Sequence, residues 1–277
     1  ASDTTFFGVI AELSKALSDR DMDLMLHVAV GSDPVEPYRR LLSKGVVDGF
    51  IINSPRPDDP RITLARQHGA AVVVHGRSAP GDDYAYFDID NRGVSAESAS
   101  LLYELGHRRI ALINGPAEHA FAIERRAGLL ETLQALDLRV PEAFILPDKM
   151  NETHGYRSAL RLLGGGLGPR PTAILCASTE IAAGVLRAAA DRGLSIPGDL
   201  SVIAHDDDIP LYRSDLMGPG LTVTYAPLTD ACAPLVDLLA LQLNGNPHNL
   251  PMQIQTRPDL IVRQSTGPVP NREAKGW

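Results

Sequence analysis

The sequence predicts an α/β protein built as two doubly wound lobes, each a parallel sheet with helices on both faces. Three observations carry this. Short apolar runs alternate with amphipathic helical stretches, the pattern of parallel strands joined by helices. The alternation passes through two separate runs, and 277 residues are ample for two lobes. Hydrophobic residues make up 44% and aromatics only 5%, so the cores must come from Leu, Ile, Val and Ala. A closed barrel of alternating strands and helices competes on the same rhythm.

Taken in order, Phe6, Ile10, Leu13 and Leu17 recur at helical spacing. Residues 23–28 read as a strand, 38–43 as a helix and 46–52 as a strand. A helix over 62–67 and a strand over 71–74 follow. A doubly wound lobe ordinarily starts on a strand, so the first strand is expected to lie outside this sequence. The second run opens with a helix over 94–105, stopped by Gly106, which suits a left-handed cap. Next come a strand over 109–113, a helix over 124–136 and a short strand over 144–146. Asn151 reads as the N-cap of a helix through Leu163 that ends at Gly164-Gly165-Gly166. A strand over 172–176, a helix over 180–191 with Gly193 beyond it, and strands over 201–204 and 221–224 precede a last long helix over 228–243. Pro268, Pro270 and several charges make 267–277 an expected disordered tail.

The net charge is −8 with no block of Lys or Arg, so this segment is not expected to grip nucleic acid on its own. No apolar run approaches the ~18 residues that span a bilayer, which excludes a membrane partner of that kind. Residues 1–5 lack the basic start and apolar stretch of a signal peptide, so a cytoplasmic location is expected. Cys176 and Cys232 lie in apolar stretches and fit small buried hydrophobes, with a disulfide as the alternative.

Ligands of open parallel sheets bind beyond the carboxyl ends of the strands. Those ends carry Asn53 and Ser54, His75 and Gly76, Asn114 and Gly115, Ser178 and Thr179, and Asp206, Asp207 and Asp208. A carboxylate there can accept hydrogen bonds from two neighbouring hydroxyls, which is what sugar recognition needs. A solvated acidic loop explains at least two of the three aspartates equally well. Arg125 and Arg126 open a helix after a loop with His119 and Phe121; one of them facing a cleft would supply a planar fork of donors, while local sequence favours both on the helix surface. There is no nucleophile elbow, phosphate loop or metal-binding His-Glu-x-x-His pair, so no catalytic residue, metal or cofactor is expected. Asp88 and Asp90 read as a strand end, and His107 as a helix-end residue facing the dipole.

Several stretches together resemble the lac-repressor (LacI) family of transcriptional regulators. They are Asp90-Asn91, Leu105-Gly106-His107-Arg108-Arg109-Ile110-Ala111, Asn114-Gly115-Pro116 and Arg125-Arg126-Ala127-Gly128. Gly193-Leu194-Ser195-Ile196-Pro197-Gly198-Asp199-Leu200-Ser201-Val202-Ile203 and the closing Arg263-Gln264-Ser265-Thr266 complete the set. The matches run in order from about Phe6 to Thr266; each is loose, and the ordered set is specific.

The resemblance implies a type I periplasmic-binding-protein-like domain whose chain crosses between lobes near residues 87, 225 and 250. One lobe would hold 1–87 and 225–249, the other 88–224 and 250–266. Arg125 matches the family's effector-binding arginine in Arg-x-x-Gly, and Asp206 the aspartate after a Val-Ile-Gly-Tyr strand. Ser178 falls where a serine or asparagine often contacts ligand; Asp90, His119 and Phe121 match pocket-lining positions, and Met150 one that is often aromatic. Phe6 and Phe7 match an aromatic pair lining the cleft, and Gly76 lies in a rim turn. Thr179 stands for a common aspartate, and Ala204-His205 for the usual Gly-Tyr.

The function so implied is effector sensing: a small polar ligand, a sugar, bound between the lobes of a homodimer and changing its affinity for operator DNA. The DNA contacts would belong to a headpiece present only in the full-length protein. A sugar-binding protein of a transport system is the alternative, and an enzyme on the same scaffold the third class.

Overall fold

The computed structural model describes residues 3–27, 33–78, 83–166, 168–245 and 252–270, with side chains from Phe7 onward. The first lobe comprises α1 (Asp3–Ser18), α2 (Glu36–Lys44), β1 (Gly49–Asn53), α3 (Pro60–Gln67), β2 (Ala71–His75) and β3 (Ala85–Ile89). The second holds α4 (Asn91–Glu104), β4 (Ile110–Asn114), α5 (Ala120–Ala135), β5 (Ile145–Pro147) and α6 (Glu152–Leu163). It continues through β6 (Ala173–Cys176), α7 (Thr179–Asp191), β7 (Ser201–Asp206) and β8 (Thr222–Tyr225). The chain then returns to the first lobe as α8 (Cys232–Leu243) and β9 (Gln253–Thr256), and ends in the second with β10 (Asp259–Ile261).

The first sheet has the order β1-β2-β3-β9 and is parallel throughout. The second runs β10-β8-β7-β6-β4-β5, with only β10 antiparallel. Two open sheets rule out the closed barrel. Each is sandwiched as the alternation demands. In the second lobe Ile174, Val202 and Val223 pack towards α6 and α7, and Leu112, Leu175 and Ile203 towards α4 and α5. In the first, Phe50, Ile52, Val72 and Val74 face α2 and α3, while Val73, Ala85 and Phe87 face α8. Leu13 and Leu17 of α1 dock on Cys232 and Val236.

Glycines set how closely the helices approach. A Cβ on Gly128 of α5 would lie 2.1 Å from the Arg92 carbonyl oxygen of α4, so only glycine permits this crossing. The Asn151 cap is as expected, its side chain accepting from His154 N at 2.8 Å. The two motifs at the lobe's far end are structural. His107 is fully buried, its Nδ1 2.9 Å from Thr172 Oγ1 and its Nε2 3.1 Å from the Gly267 carbonyl. Ser265 Oγ donates to the Val202 carbonyl at 2.6 Å and accepts from Thr222 N at 2.8 Å, stitching β7 to β8.

Four expectations need correction. Residues 23–27 form no strand, and Met25 and Leu26 are 53% and 56% exposed; Val28 lies outside the described residues. An apolar run becomes a strand only where an edge can pair with it, and no described strand does so here. The strand expected over 46–52 starts at Gly49, where a Cβ would meet the Ala71 carbonyl at 2.9 Å and Leu239 at 2.8 Å. The third passage between lobes falls between Thr256 and Asp259, because β9 pairs with β3, so 252–256 belong to the first lobe. Residues 267–270 of the expected disordered tail are held in place: Gly267 N donates to Ser201 Oγ at 3.2 Å and Val269 N to the Leu105 carbonyl at 2.8 Å. Residues 271–277 lie outside the described residues.

Candidate binding site between the lobes

Parallel strands in both sheets bring their carboxyl ends to one cleft. The lobes meet there directly: His119 Nδ1 donates to the Ser54 carbonyl at 3.0 Å, and Ala120 N to the Pro55 carbonyl at 3.0 Å. Gly76, at φ 104°, sits against the same proline, where a Cβ would approach Pro55 Cδ to 2.9 Å.

Arg125 is the central feature. It is only 4% exposed, whereas its neighbour Arg126 is the surface residue, paired with Glu142 at 2.8 Å. The Arg125 Nε donates to Asn91 Oδ1 at 2.9 Å and a terminal nitrogen to the Ala177 carbonyl at 2.6 Å. Its guanidinium carbon lies 5.3 Å from the centre of the Phe121 ring. Burial lowers the Arg125 pKa, partly offset by the charges of Asp207 and Asp88, and the group stays protonated. Among the described residues no carboxylate comes within ion-pair distance of it.

Behind Arg125, Asn91 donates from Nδ2 to Asp88 Oδ1 at 3.1 Å. Asp88 is 6% exposed, and burial raises its pKa to about 6 against the pull of Arg77 and Arg125. A cavity of about 10 Å³, the size of one water molecule, separates Arg125 from Ser95, Ser98, His205 and Thr224. A more open depression of about 600 Å³ lies at the opposite, amino-terminal ends of β2 and β3, lined by Asp48, Arg66, Asp83 and Gln242. It carries no comparable buried charge, and strand polarity favours the cleft.

Asp206, His205, Asp207 and His75 complete the cleft floor. Asp206 is buried at the end of β7; its Oδ1 accepts from Asp208 N at 2.9 Å and its Oδ2 from the Ser214 hydroxyl. His205 Nδ1 lies 3.0 Å from Thr224 Oγ1. Burial, followed by the charge of Arg125, lowers the His205 pKa. Asp207 is pushed up by burial, but His205, Arg125 and His75 together hold it below the usual carboxylate range. His75, at the end of β2 in the other lobe, is driven down to about 4 by burial, with the charge of Asp207 opposing.

The remaining candidates divide. Phe121 and Met150 meet at Gly115, where a Cβ would lie 2.7 Å from the ring and 3.1 Å from the sulfur. His119 stacks on Phe121 at 5.8 Å. Asp90 and Ser178 are helix caps, accepting from Gly93 N at 2.9 Å and Ile181 N at 3.2 Å. Phe7 on α1 is 65% exposed, and the Phe6 side chain lies outside the described residues. Asn91, Asp88, His75, His205 and Asp207 were not among the candidates. His75 and Asp207 stood in the strand-end inventory and Asn91 beside Asp90, so position was the available signal.

Among the described residues no group of three or more His, Cys, Asp or Glu is arranged to hold a metal ion. Cys176 and Cys232 are buried free thiols in separate lobes. No described helix is long and apolar enough to cross a membrane.

A family model for a periplasmic binding protein-like domain matches residues 99–266. The HTH-type transcriptional regulator AglR of Rhizobium meliloti is 39% identical over 98% of this chain and 76% of its own length. The HTH-type transcriptional repressor PurR of Escherichia fergusonii is 28% identical over 99% of this chain and 80% of its own. Among solved structures, a LacI-family regulatory protein from Chloroflexus aggregans superposes with a TM-score of 0.80 at 29% identity, covering 94% of this chain and 91% of that one. A transcriptional regulator CelR–cellobiose complex superposes with a TM-score of 0.81 at 27% identity, covering 95% and 80%.

Proposed function

The chain belongs to the LacI family of transcriptional regulators, and on that premise we propose that its interlobe cleft binds a small neutral sugar as effector. The observation that carries this is Arg125: a buried guanidinium, fixed by Asn91 and Ala177, with no carboxylate paired to it among the described residues. A buried cation without a counter-ion is costly, and such a cost is sustained where fixed donors await a ligand. The cellobiose in the CelR relative supports a sugar of one or two rings. Phe121 and Met150 supply apolar surface for a pyranose face.

Sugar binding favours the closed arrangement by its differential affinity for it. In the full-length cytoplasmic protein, a homodimer acting as a repressor, closure shifts the relation between two DNA-binding headpieces and so changes operator affinity. The test is a thermal-shift screen with cellobiose, maltose, sucrose and glucose, followed by calorimetric titration of the wild type and Arg125→Ala. At least one sugar raises Tm, and Arg125→Ala weakens its binding roughly 100-fold, the worth of one or two charge-assisted hydrogen bonds. Near-wild-type affinity in a folded Arg125→Ala protein refutes the cleft; no response to any of the four refutes the sugar.

A further inference from the structure

Resting on that reading, we infer that Asp88 is a positioning residue for effector binding: through Asn91 it fixes the guanidinium of Arg125 in the orientation that meets the ligand. The three side chains form one buried chain, each at most 6% exposed. Asn91 Nδ2 donates to Asp88 Oδ1 at 3.1 Å, and Asn91 Oδ1 accepts from Arg125 Nε at 2.9 Å. The amide thus links a buried carboxyl to a buried cation, and its direction matters. An amide can turn either its oxygen or its nitrogen towards a neighbour, and its partners decide which. Arg125 Nε carries one hydrogen and needs an acceptor, so one of the two directions serves it. Asp88 selects that direction: an ionised carboxyl accepts and cannot donate, so it draws Nδ2 towards itself and leaves Oδ1 for Arg125.

With Nε held by Asn91 and a terminal nitrogen held by the Ala177 carbonyl at 2.6 Å, both the plane and the rotation of the fork are set. The start of α4 is secured separately. Asp90 caps it through Gly93 N at 2.9 Å, and Asp90 N donates to the Thr256 carbonyl at 2.7 Å, which leaves the Asp88 side chain to Asn91. Burial raises the Asp88 pKa to about 6, against the charges of Arg77 beyond β2 and Arg125 on α5 and with Glu124 of α5 raising it further; its register partner on β9, Gln255, is neutral. Once protonated, the carboxyl can donate to Asn91 Oδ1 and turn the amide round, setting Nδ2 against the Arg125 N–H. The ionised form is the one that positions Arg125, so affinity is full well above pH 6 and is lost as pH falls through it. One proton is worth at most tenfold per pH unit, so the loss is about tenfold at pH 5. Stability moves the other way, because a buried carboxyl costs least when protonated.

The experiment compares Asp88→Asn, Asp88→Leu and Arg125→Ala with the wild type, titrating whichever of cellobiose, maltose, sucrose or glucose binds it. At about pH 7.5 Asp88→Leu loses about tenfold or more in affinity, and Asp88→Asn, which keeps an accepting oxygen, less than about threefold. Between about pH 7.5 and pH 5 the wild type loses about tenfold more affinity than Asp88→Asn, while its stability in urea rises relative to that variant. Groups common to both proteins cancel in these comparisons. Without ligand, NMR follows the Arg125 Nε–H, identified by its absence from Arg125→Ala. At one pH this proton exchanges with water faster in Asp88→Leu than in the wild type, with no change at the Leu129 amide on the same helix. An Asp88 that serves stability alone moves neither the pH profile of binding nor this proton. The inference is overturned if folded Asp88→Leu binds like the wild type, if the wild type and Asp88→Asn share one pH profile, or if exchange at Nε is unaltered. If Arg125→Ala also keeps wild-type affinity, it is the cleft itself that fails. If none of the four sugars binds, the sugar reading falls, and exchange at Nε still decides the role of Asp88.

Discussion

Asp88 holds its carboxyl in the native state at a pKa near 6, about two units above the ordinary 3.8, because it is buried behind Asn91 and Arg125. At 1.36 kcal/mol per unit, that difference opposes folding by about 3 kcal/mol once the pH is well above 6. Between about pH 4 and pH 6 the native protein keeps a proton that the unfolded chain has lost, so stability falls as pH rises through this window. Asp88→Asn removes the titration and keeps an amide oxygen to accept from Asn91. The variant should match the wild type near pH 4 and exceed it by roughly 2–3 kcal/mol at about pH 7. His75 acts in the opposite sense: its pKa of about 4 means that stability is lost as pH falls below 6.5. That contribution is common to both proteins and cancels in their difference. Urea unfolding at a series of pH values, with the m-value held as a check, measures the gap directly. A gap absent at neutral pH, or one equally large at pH 4, refutes burial of the charge as its cause.

Two further substitutions test the scaffold. Gly128→Ala forces a methyl against the Arg92 carbonyl, which it would approach to 2.1 Å, so α4 and α5 must part at a cost of roughly 1–3 kcal/mol in urea unfolding. Because Asn91 adjoins Arg92, titration of the same variant should also show weakened ligand binding; unchanged affinity would separate the crossing from the site. Ser265→Ala leaves the buried Thr222 N–H without its 2.8 Å acceptor and costs about 1–3 kcal/mol. Hydrogen exchange at the Thr222 amide should accelerate, and retained protection there would show that another acceptor serves it.

The parts of this structure legible in the sequence were those decided locally. Apolar runs ending in polar residues marked the strands and, through strand polarity, the cleft. Asn151 announced its helix because a capping side chain acts within three residues. Decisions between neighbours were not legible. Arg125 and Arg126 are chemically identical and adjacent; only the family resemblance singled out Arg125, and the structure buries it while Arg126 pairs with Glu142 at the surface. Among Asp206, Asp207 and Asp208 it is Asp206 whose oxygens accept from the Asp208 backbone and the Ser214 hydroxyl, contacts no spacing reveals. β9, reading Gln-Ile-Gln-Thr and largely exposed, has no apolar signature, so nothing local marks the passage between Thr256 and Asp259. Residues 23–27 have the signature, yet no described strand pairs with them.

One helix carries both the proposed ligand contacts and the contacts between the lobes. The amino end of α5 makes the interlobe contacts, through His119 to Ser54 and Ala120 to Pro55. Its next turn carries Phe121 and then Arg125, and its middle is seated by Gly128 on α4 beside Asn91. A ligand that draws on Arg125 therefore acts on the element that also holds the first lobe at its rim. Across the cleft, His75 and Asp207 influence one another from opposite lobes, so the electrostatic balance at the floor depends on their separation. Bonds at the rim and charges at the floor both change when the lobes move. A ligand that engaged Arg125 together with the opposite lobe would favour one separation over others, which is the differential affinity that an allosteric effector requires.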